Sequence, residues 1–442
     1  MSVTAWLATG VFVAVYVLLI LDRLPKTTLV LAGACMMIVL GVVDQHTAFH
    51  GTQAVQGVDW NTIFLLIGMM IVVNITRKTG LFEWIAVRTA KLGRGQPLLI
   101  LIGMSLSTAV LSALIDNVTT VLLVIPTAIV IYEALEIDPI PYLIFLVFAS
   151  NIGGSATLIG HPANIIIGSS SGFSFMDFIR VNLPITLVIF VVLCGLMWLL
   201  LRRTGEAGSE QRARIMAMDE TRALTDRQLL PRCLAVLALI FLGFGVHDML
   251  GLEPATVALT GATLLLLLDP AGPTRTLEEI EWPTIFFFIG LFIMVGGLTQ
   301  AGVVRQLGLW MMDVTGGSSF ALTMSVVGLA GLASALMGSI PFVATMAPIV
   351  HTIAELMHPE LSTHDAITHS SMRPVWWGLS LGAGIGQNFA LIGAPTNLVA
   401  AAIAKRSGHP ISFKRFLAYG VPITLPFIGL SAIYLWLRFF TG

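Results

Sequence analysis

Ser112-Ala-Leu-Ile-Asp-Asn-Val-Thr-Thr-Val-Leu-Leu-Val-Ile-Pro126 sets one carboxylate, Asp116, one amide, Asn117, and two hydroxyls, Thr119 and Thr120, inside an otherwise apolar run. A run of that character belongs in a bilayer, where an ionisable side chain is costly and marks a functional site by default. An aspartate that merely caps a helix is the competing explanation. Capping, however, does not require a charge at membrane depth.

The surrounding composition agrees. Of 442 residues, 56% are hydrophobic and only 11% charged, and the mean hydropathy is +0.92. Soluble domains carry about 25% charged residues, so the chain reads as an all-α polytopic membrane protein. The first apolar run, Val3 to Leu21, ends in Asp22-Arg23 without a small-residue cleavage pattern and reads as a retained helix. A net charge of −1 and the lack of a basic-aromatic patch give no sign of nucleic-acid binding. Cys35, Cys194 and Cys233 stand far apart without Cys-x-x-Cys spacing, which predicts no metal or thiol site. His46, His50 and His247 fall in external loops without a ligand set. No nucleophile–base pair or phosphate-cradling loop is present, so no enzyme is expected, and no cofactor.

In chain order, spans are expected over 3–21, 27–43, 60–76, 140–172 and 181–201, with a short amphipathic piece at 81–92. Two apolar arms, 97–115 and 118–134, meet at Asp116-Asn117. They form either two crossings or one re-entrant hairpin (97–134) whose tip lies at membrane depth. The segment Asn151-Ile-Gly-Gly-Ser-Ala-Thr-Leu-Ile-Gly-His-Pro-Ala-Asn164 packs helix breakers and polar side chains between apolar flanks, and predicts a broken helix over 140–172. The polar stretch 202–232, with seven arginines and no lysine, reads as a solvated cytoplasmic linker.

The rest repeats the first part. Trp60-Asn-Thr-Ile-Phe-Leu-Leu-Ile-Gly68 recurs as Trp282-Pro-Thr-Ile-Phe-Phe-Phe-Ile-Gly290, and Ser112-Ala-Leu as Ser334-Ala-Leu. Leu158-Ile-Gly-x-Pro-x-Asn164 returns as Leu391-Ile-Gly-x-Pro-x-Asn397. The duplication divides the chain into a first repeat, 1–201, and a second, 233–442, with its own hairpin (318–356) and broken helix (375–405). With five crossings and one re-entrant hairpin per repeat, all but four of the 23 basic residues fall on one side. The exceptions are Arg180, Arg305, Arg373 and Arg438. That bias makes the basic side cytoplasmic, and the odd number of crossings makes the repeats inverted.

The Ser-Ala-Leu-Ile-Asp-Asn-Val-Thr-Thr and Asn-Ile-Gly-Gly-Ser-Ala-Thr-Leu-Ile-Gly-x-Pro-x-Asn motifs resemble the ion transporter superfamily. They look most like its arsenite permease, sodium–proton antiporter and melanosomal P-protein branch, which carries a citrate transporter-like domain. The resemblance, through the structurally known dicarboxylate carriers, implies a transport domain of two hairpins and two broken helices. That domain moves as an elevator against a scaffold that also makes a homodimer. Ion or proton coupling is expected at Asp116, Asn117 and His161. A cavity is expected to be lined by Thr119, Thr120, Asn151, Ser155, Thr157, Asn164, Gln387, Asn388, Thr396 and Asn397.

Three positions depart from the branch. His161 stands where relatives carry Asp, as either a proton carrier or a neutral hydrogen-bonding substitute. Gly338 and Ser339 stand where Asp-Asn recurs at the second tip. Gly386-Gln387-Asn388 replaces a Gly-Gly-Asn.

The expectation is a secondary transporter of the inner (cytoplasmic) membrane with a small inorganic ion as substrate. It would exchange protons for a cation such as Na⁺, or export a small oxyacid such as arsenite. The missing second acid leaves open a degenerate paralogue that sets ion or pH balance in a specialised, magnetosome-like membrane, and also a non-transporting scaffold.

Overall fold

In the computed structural model the described residues, 2–21, 24–51, 57–202, 208–269 and 272–441, form helices and turns with no strand. Arg23 and Arg203, two of the basic residues assigned to the cytoplasmic side, lie outside the described residues, as does part of the linker.

The chain opens with α1 (Val3–Leu21), α2 (Lys26–Val39) and the short α3 (Gln45–His50), followed by α4 (Trp60–Arg77) and α5 (Leu81–Leu92). The two arms are α6 (Pro97–Leu114) and α7 (Asn117–Ala134), separated by Ile115 and Asp116 alone. The next helix breaks into α8 (Ile140–Gly154) and α9 (Pro162–Ser171), and α10 (Phe175–Leu201) closes the first half. Proline at N1 starts α6 and α9, where the missing N–H costs nothing. A reciprocal Ser174–Asp177 capping box starts α10.

The second half repeats this order. After α11 (Ser209–Ala217) in the connection come α12 (Leu229–Val246), α13 (Pro254–Leu268), α14 (Pro273–Glu278), α15 (Trp282–Gln300) and α16 (Val303–Thr315). Then follow the arms α17 (Ser319–Met337) and α18 (Ser339–Met357), and the small α19 (Thr363–Thr368). The second broken helix is α20 (Arg373–Gly386) and α21 (Pro395–Arg406), and α22 (Phe413–Phe439) ends the fold. Among the described residues ten helices are long and apolar enough to cross a membrane, and the four hairpin arms are among them. The protein is therefore a multi-pass, all-helical membrane protein. The duplication extends to single contacts: Trp60 Nε1 donates to the Phe49 carbonyl of α3 and Trp282 Nε1 to the Leu277 carbonyl of α14, each at 3.2 Å.

Apolar helices in lipid gain little from hydrophobic burial against each other, so close approach rests on small residues. In each half the upper part of the broken helix crosses the first hairpin arm at a glycine. A Cβ on Gly153 would lie 2.2 Å from the Ala109 carbonyl oxygen, and one on Gly386 2.4 Å from the Gly331 carbonyl oxygen. These two crossings bring each hairpin tip against its break.

The connection is not a freely solvated link. Glu220 pairs with Arg88 at 3.0 Å and with Lys91, both on α5. Arg214 of α11 pairs with Glu136, just past the end of α7, at 3.1 Å. Thr225 N donates to the Thr79 carbonyl at 3.1 Å. Alternating charge along 209–227 thus straps the connection to the ends of the first hairpin and α5. The helix α12 begins at Leu229, four residues ahead of the boundary drawn from composition, and α20 begins at Arg373, two ahead of its expected start. Hydropathy underestimates helices that start among polar residues.

Candidate functional site

Asp116 takes an extended conformation (φ −176°, ψ 161°) and caps α7, its Oδ1 accepting from Thr119 N at 2.8 Å. The capping role set against function in the sequence is therefore one that this residue fills. Asp116 is only half-buried and faces a cavity of about 100 Å³. The cavity lies between the first tip (Asp116, Thr119), α4 (Met70, Asn74), the start of α9 (Pro162) and the start of α15 (Glu281, Thr284). Among the described residues that line it none is basic. Met69 and Met70 also form part of its wall.

Behind the tip lies a buried polar network that joins both halves. Asn117 Nδ2 donates to Asn151 Oδ1 at 3.0 Å, and Asn151 Nδ2 donates to Asn388 Oδ1 at 2.8 Å and to Asn397 Oδ1 at 3.0 Å. Ser150 Oγ donates to the Asn117 carbonyl at 3.1 Å, and Ser112 Oγ to the Ser150 carbonyl at 2.6 Å. The broken segments need partners for freed carbonyls, and each finds them in the asparagine that follows it. Asn164 Nδ2 donates to the Thr157 carbonyl at 2.8 Å, and Asn397 Nδ2 to the carbonyls of Ala390 and Gln387, both at 2.9 Å. In both halves the partner lies seven residues back. Thr157 Oγ1 donates to the Ala113 carbonyl at 2.6 Å, which ties the first break to its own hairpin.

His161 is buried and caps α9. Its Nδ1 accepts from Ala163 N at 3.1 Å, which requires that nitrogen to be unprotonated. The ring proton of the neutral form therefore sits on Nε2, which lies 3.0 Å from Gln387 Oε1 and 3.2 Å from Ser339 Oγ. Of the two readings of His161, this geometry is that of the neutral hydrogen-bonding residue, filling the cap that an aspartate would fill. At the second tip Gly338 adopts φ 88° and ψ 149°, a region essentially reserved for glycine. Together with Ser339 it borders an apolar cavity of about 340 Å³ that shares Thr284, Ile340 and Pro395 with the Asp116 cavity.

The sequence-derived residues thus divide. Asp116 and Thr119 face the cavity. Asn117, Thr120, Asn151, Ser155, Thr157, His161, Asn164, Gln387, Asn388, Thr396 and Asn397 are buried behind it. Asn117 Oδ1, Asn388 Nδ2 and Thr396 Oγ1 lack a partner within this buried group. Sequence reasoning missed Asn182 and Ser380. Asn182 Nδ2 donates to the Ser155 carbonyl at 2.9 Å and to Ser380 Oγ at 2.8 Å, and Ser380 in turn donates to Asn164 Oδ1 at 2.8 Å. The signal was a lone amide inside the apolar run of α10. Glu83, in the first turn of α5, has its Oε2 buried without a hydrogen-bond partner among the described residues.

Residues 16–382 match the family model described as Citrate transporter. The chain belongs to the citrate transporter family. Within reach of that family, it is 43% identical over 435 residues to an uncharacterized transporter of Mycobacterium tuberculosis, covering 98% of each chain. It is 31% identical over 511 residues to the mouse P protein, covering 97% of this chain and 59% of that one. Among solved structures it resembles the Alcanivorax borkumensis YdaH transporter with a TM-score of 0.55 at 15% identity, over 96% of this chain and 98% of the other. That likeness concerns the fold alone. The family fits the motifs from which the P-protein branch was expected.

Proposed function

We propose that this membrane transporter works as a proton-coupled ion exchanger, with Asp116 as the group that alternately holds a proton and a cation such as Na⁺. The observation that carries the reading is the placement of Asp116 at a hairpin tip, half-buried, on a small cavity without a basic lining residue. A carboxylate there attracts a cation or a proton, and competition between them is the minimal basis of exchange. Asn117 and the network behind it hold the tip in place, and His161 acts as a neutral partner and not as the proton carrier.

The family's name carries citrate. A free polyanion would meet like charge in this cavity, so a cation is the better fit, and a neutral oxyacid such as arsenite the next. In this reading the hairpins and broken helices of two inverted repeats move as an elevator within a homodimer in the inner membrane. Asn74 and the exposed Glu281 line the cavity near the basic end of α4, which this reading puts on the cytoplasmic side.

The test is proton flux in inside-out vesicles with an internal pH dye, comparing wild type with Asp116→Asn while Na⁺, Li⁺ and arsenite are added in turn. A solute that collapses the gradient only in wild type supports the proposal. A mutant indistinguishable from wild type in a responding preparation would falsify it. One observation favours a second reading, a diverged paralogue that sets ion balance in a specialised membrane: the second tip has lost its acid at Gly338.

A further inference from the structure

The second half has no acid at its tip, yet it sends one into the same cavity. Glu281 precedes Trp282 just as Asp59 precedes Trp60 in the duplicated sequence. Asp59 is fully used as a cap, accepting from Thr62 N at 3.1 Å and from Thr62 Oγ1 at 2.6 Å. Glu281, one methylene longer, makes no capping bond to the backbone of α15. Among the described residues its carboxylate accepts a single hydrogen bond, a long one from Thr284 Oγ1 at 3.3 Å. It stands exposed at the mouth of the cavity that Asp116 faces from the other side. The two carboxylates interact electrostatically across that space, while Arg77 at the end of α4 attracts Glu281 from outside it.

Two acids on one small cavity cannot both remain charged and unscreened without mutual cost, so their titrations are linked. We propose that Glu281 is a positioning residue for exchange at Asp116, the second acid of the site, contributed by the second half in place of the acid missing at Gly338. This rests on the exchange function proposed above. Its charge makes Asp116 harder to ionise when the cavity is empty and offers an entering cation a first contact at the mouth. Removing it leaves Asp116 able to exchange, but at a more acidic pH and with weaker preference for the cation. Thr284, Thr119 and the Asn74 amide complete a wall of oxygen donors suited to a hard monovalent ion.

The test is Na⁺- and Li⁺-driven proton flux between pH 5.5 and 8.5 in wild type, Glu281→Gln, Glu281→Asp and Asp116→Asn, with mixtures monodisperse by size exclusion. Glu281→Gln is expected to move the half-maximal pH acidward by about half a unit or more. It should also raise the cation concentration for half-maximal flux several-fold, while Glu281→Asp keeps values near wild type. Superimposable pH profiles for wild type and Glu281→Gln, with Asp116→Asn inactive, overturn the role of Glu281 and leave the exchange function standing. An Asp116→Asn variant that exchanges like wild type overturns the exchange function itself, whatever Glu281 does.

Discussion

The Asn151 amide, in the first broken helix, donates to Asn397 Oδ1, in the second, at 3.0 Å. The same amide reaches Asn388 at 2.8 Å and accepts from Asn117 at the first tip. One side chain thus links three polar segments that are separated by up to 280 residues of sequence, as Asn117 and Asn397 are.

Asn151→Leu keeps the volume and removes every one of these bonds. Three buried polar partners would lose theirs, at about 1–3 kcal/mol for each group left unpaired. A net loss of about 2–4 kcal/mol is expected once the site relaxes, seen as a lowered thermal midpoint of the detergent-solubilised protein. A midpoint within about 1 °C of wild type would show that water replaces the lost bonds.

Gly386→Ala places a methyl group 2.4 Å from the Gly331 carbonyl oxygen and 2.5 Å from its Cα. Because the obstacle is backbone, α17 and α20 must separate, at about 1–3 kcal/mol. Reduced stability and reduced flux are expected together. Gly429→Ala, with nothing within 4 Å of the new Cβ, serves as the control. Equal behaviour of the two variants would refute the close-crossing argument.

Gly338→Asp restores a carboxylate at the second tip but forces a side chain onto φ 88°, ψ 149°. Strain of about 1–3 kcal/mol is expected, with no second exchange site gained. A variant as stable as wild type that binds additional cation would count against this account of the second tip.

The strap formed by the connection should respond to pH. The hydrogen bond from Lys91, with further help from Arg88, holds the Glu220 carboxyl below the ordinary carboxylate range. A lowered value in the docked state means that the docking contribution is present above about pH 4.3, the ordinary glutamate value, and is lost as pH falls through the lowered one. Hydrogen exchange over 209–223, normalised to intrinsic rates, is expected to rise on acidification and with salt. Glu220→Gln should reproduce the rise at neutral pH. Exchange that ignores both changes would mean that the ion pairs do not hold the strap.

Much of this was legible in the chain because the relevant signals are local. Hydropathy and punctuation located α1 to the residue, and the glycines and prolines of Asn151–Asn164 marked the break. The 222-residue offset between Trp60 and Trp282 foretold the ordering of the second half. The tip residue Asp116 was visible as a charge in the wrong medium. What was not legible depends on contacts between distant segments. Asn182 carries no motif and gains meaning only from Ser155 and Ser380. The cavity role of Met69 and Met70 follows from which face of α4 turns to the tip. The docking of the connection, read as solvated from its arginines, depends on its own Glu220 and on Glu136, just past the end of α7, which pair across space. The two faces of His161 could not be separated by sequence, since only the N–H of Ala163 fixes which nitrogen is bare.

The network that binds the two breaks is made of amides, hydroxyls and one neutral imidazole, so it has no net charge to displace. If the proposed elevator motion carries the hairpin through the field, the membrane potential would act on the cavity acids, Asp116 and Glu281, and whatever they hold. An unloaded carboxylate crossing the whole field would gain or lose about 2.3 kcal/mol per 100 mV, whereas a protonated or singly loaded one would feel almost none. In the proposed exchange Asp116 crosses loaded in both directions, with a proton one way and a cation the other, so the voltage would do little work on that group in either stroke.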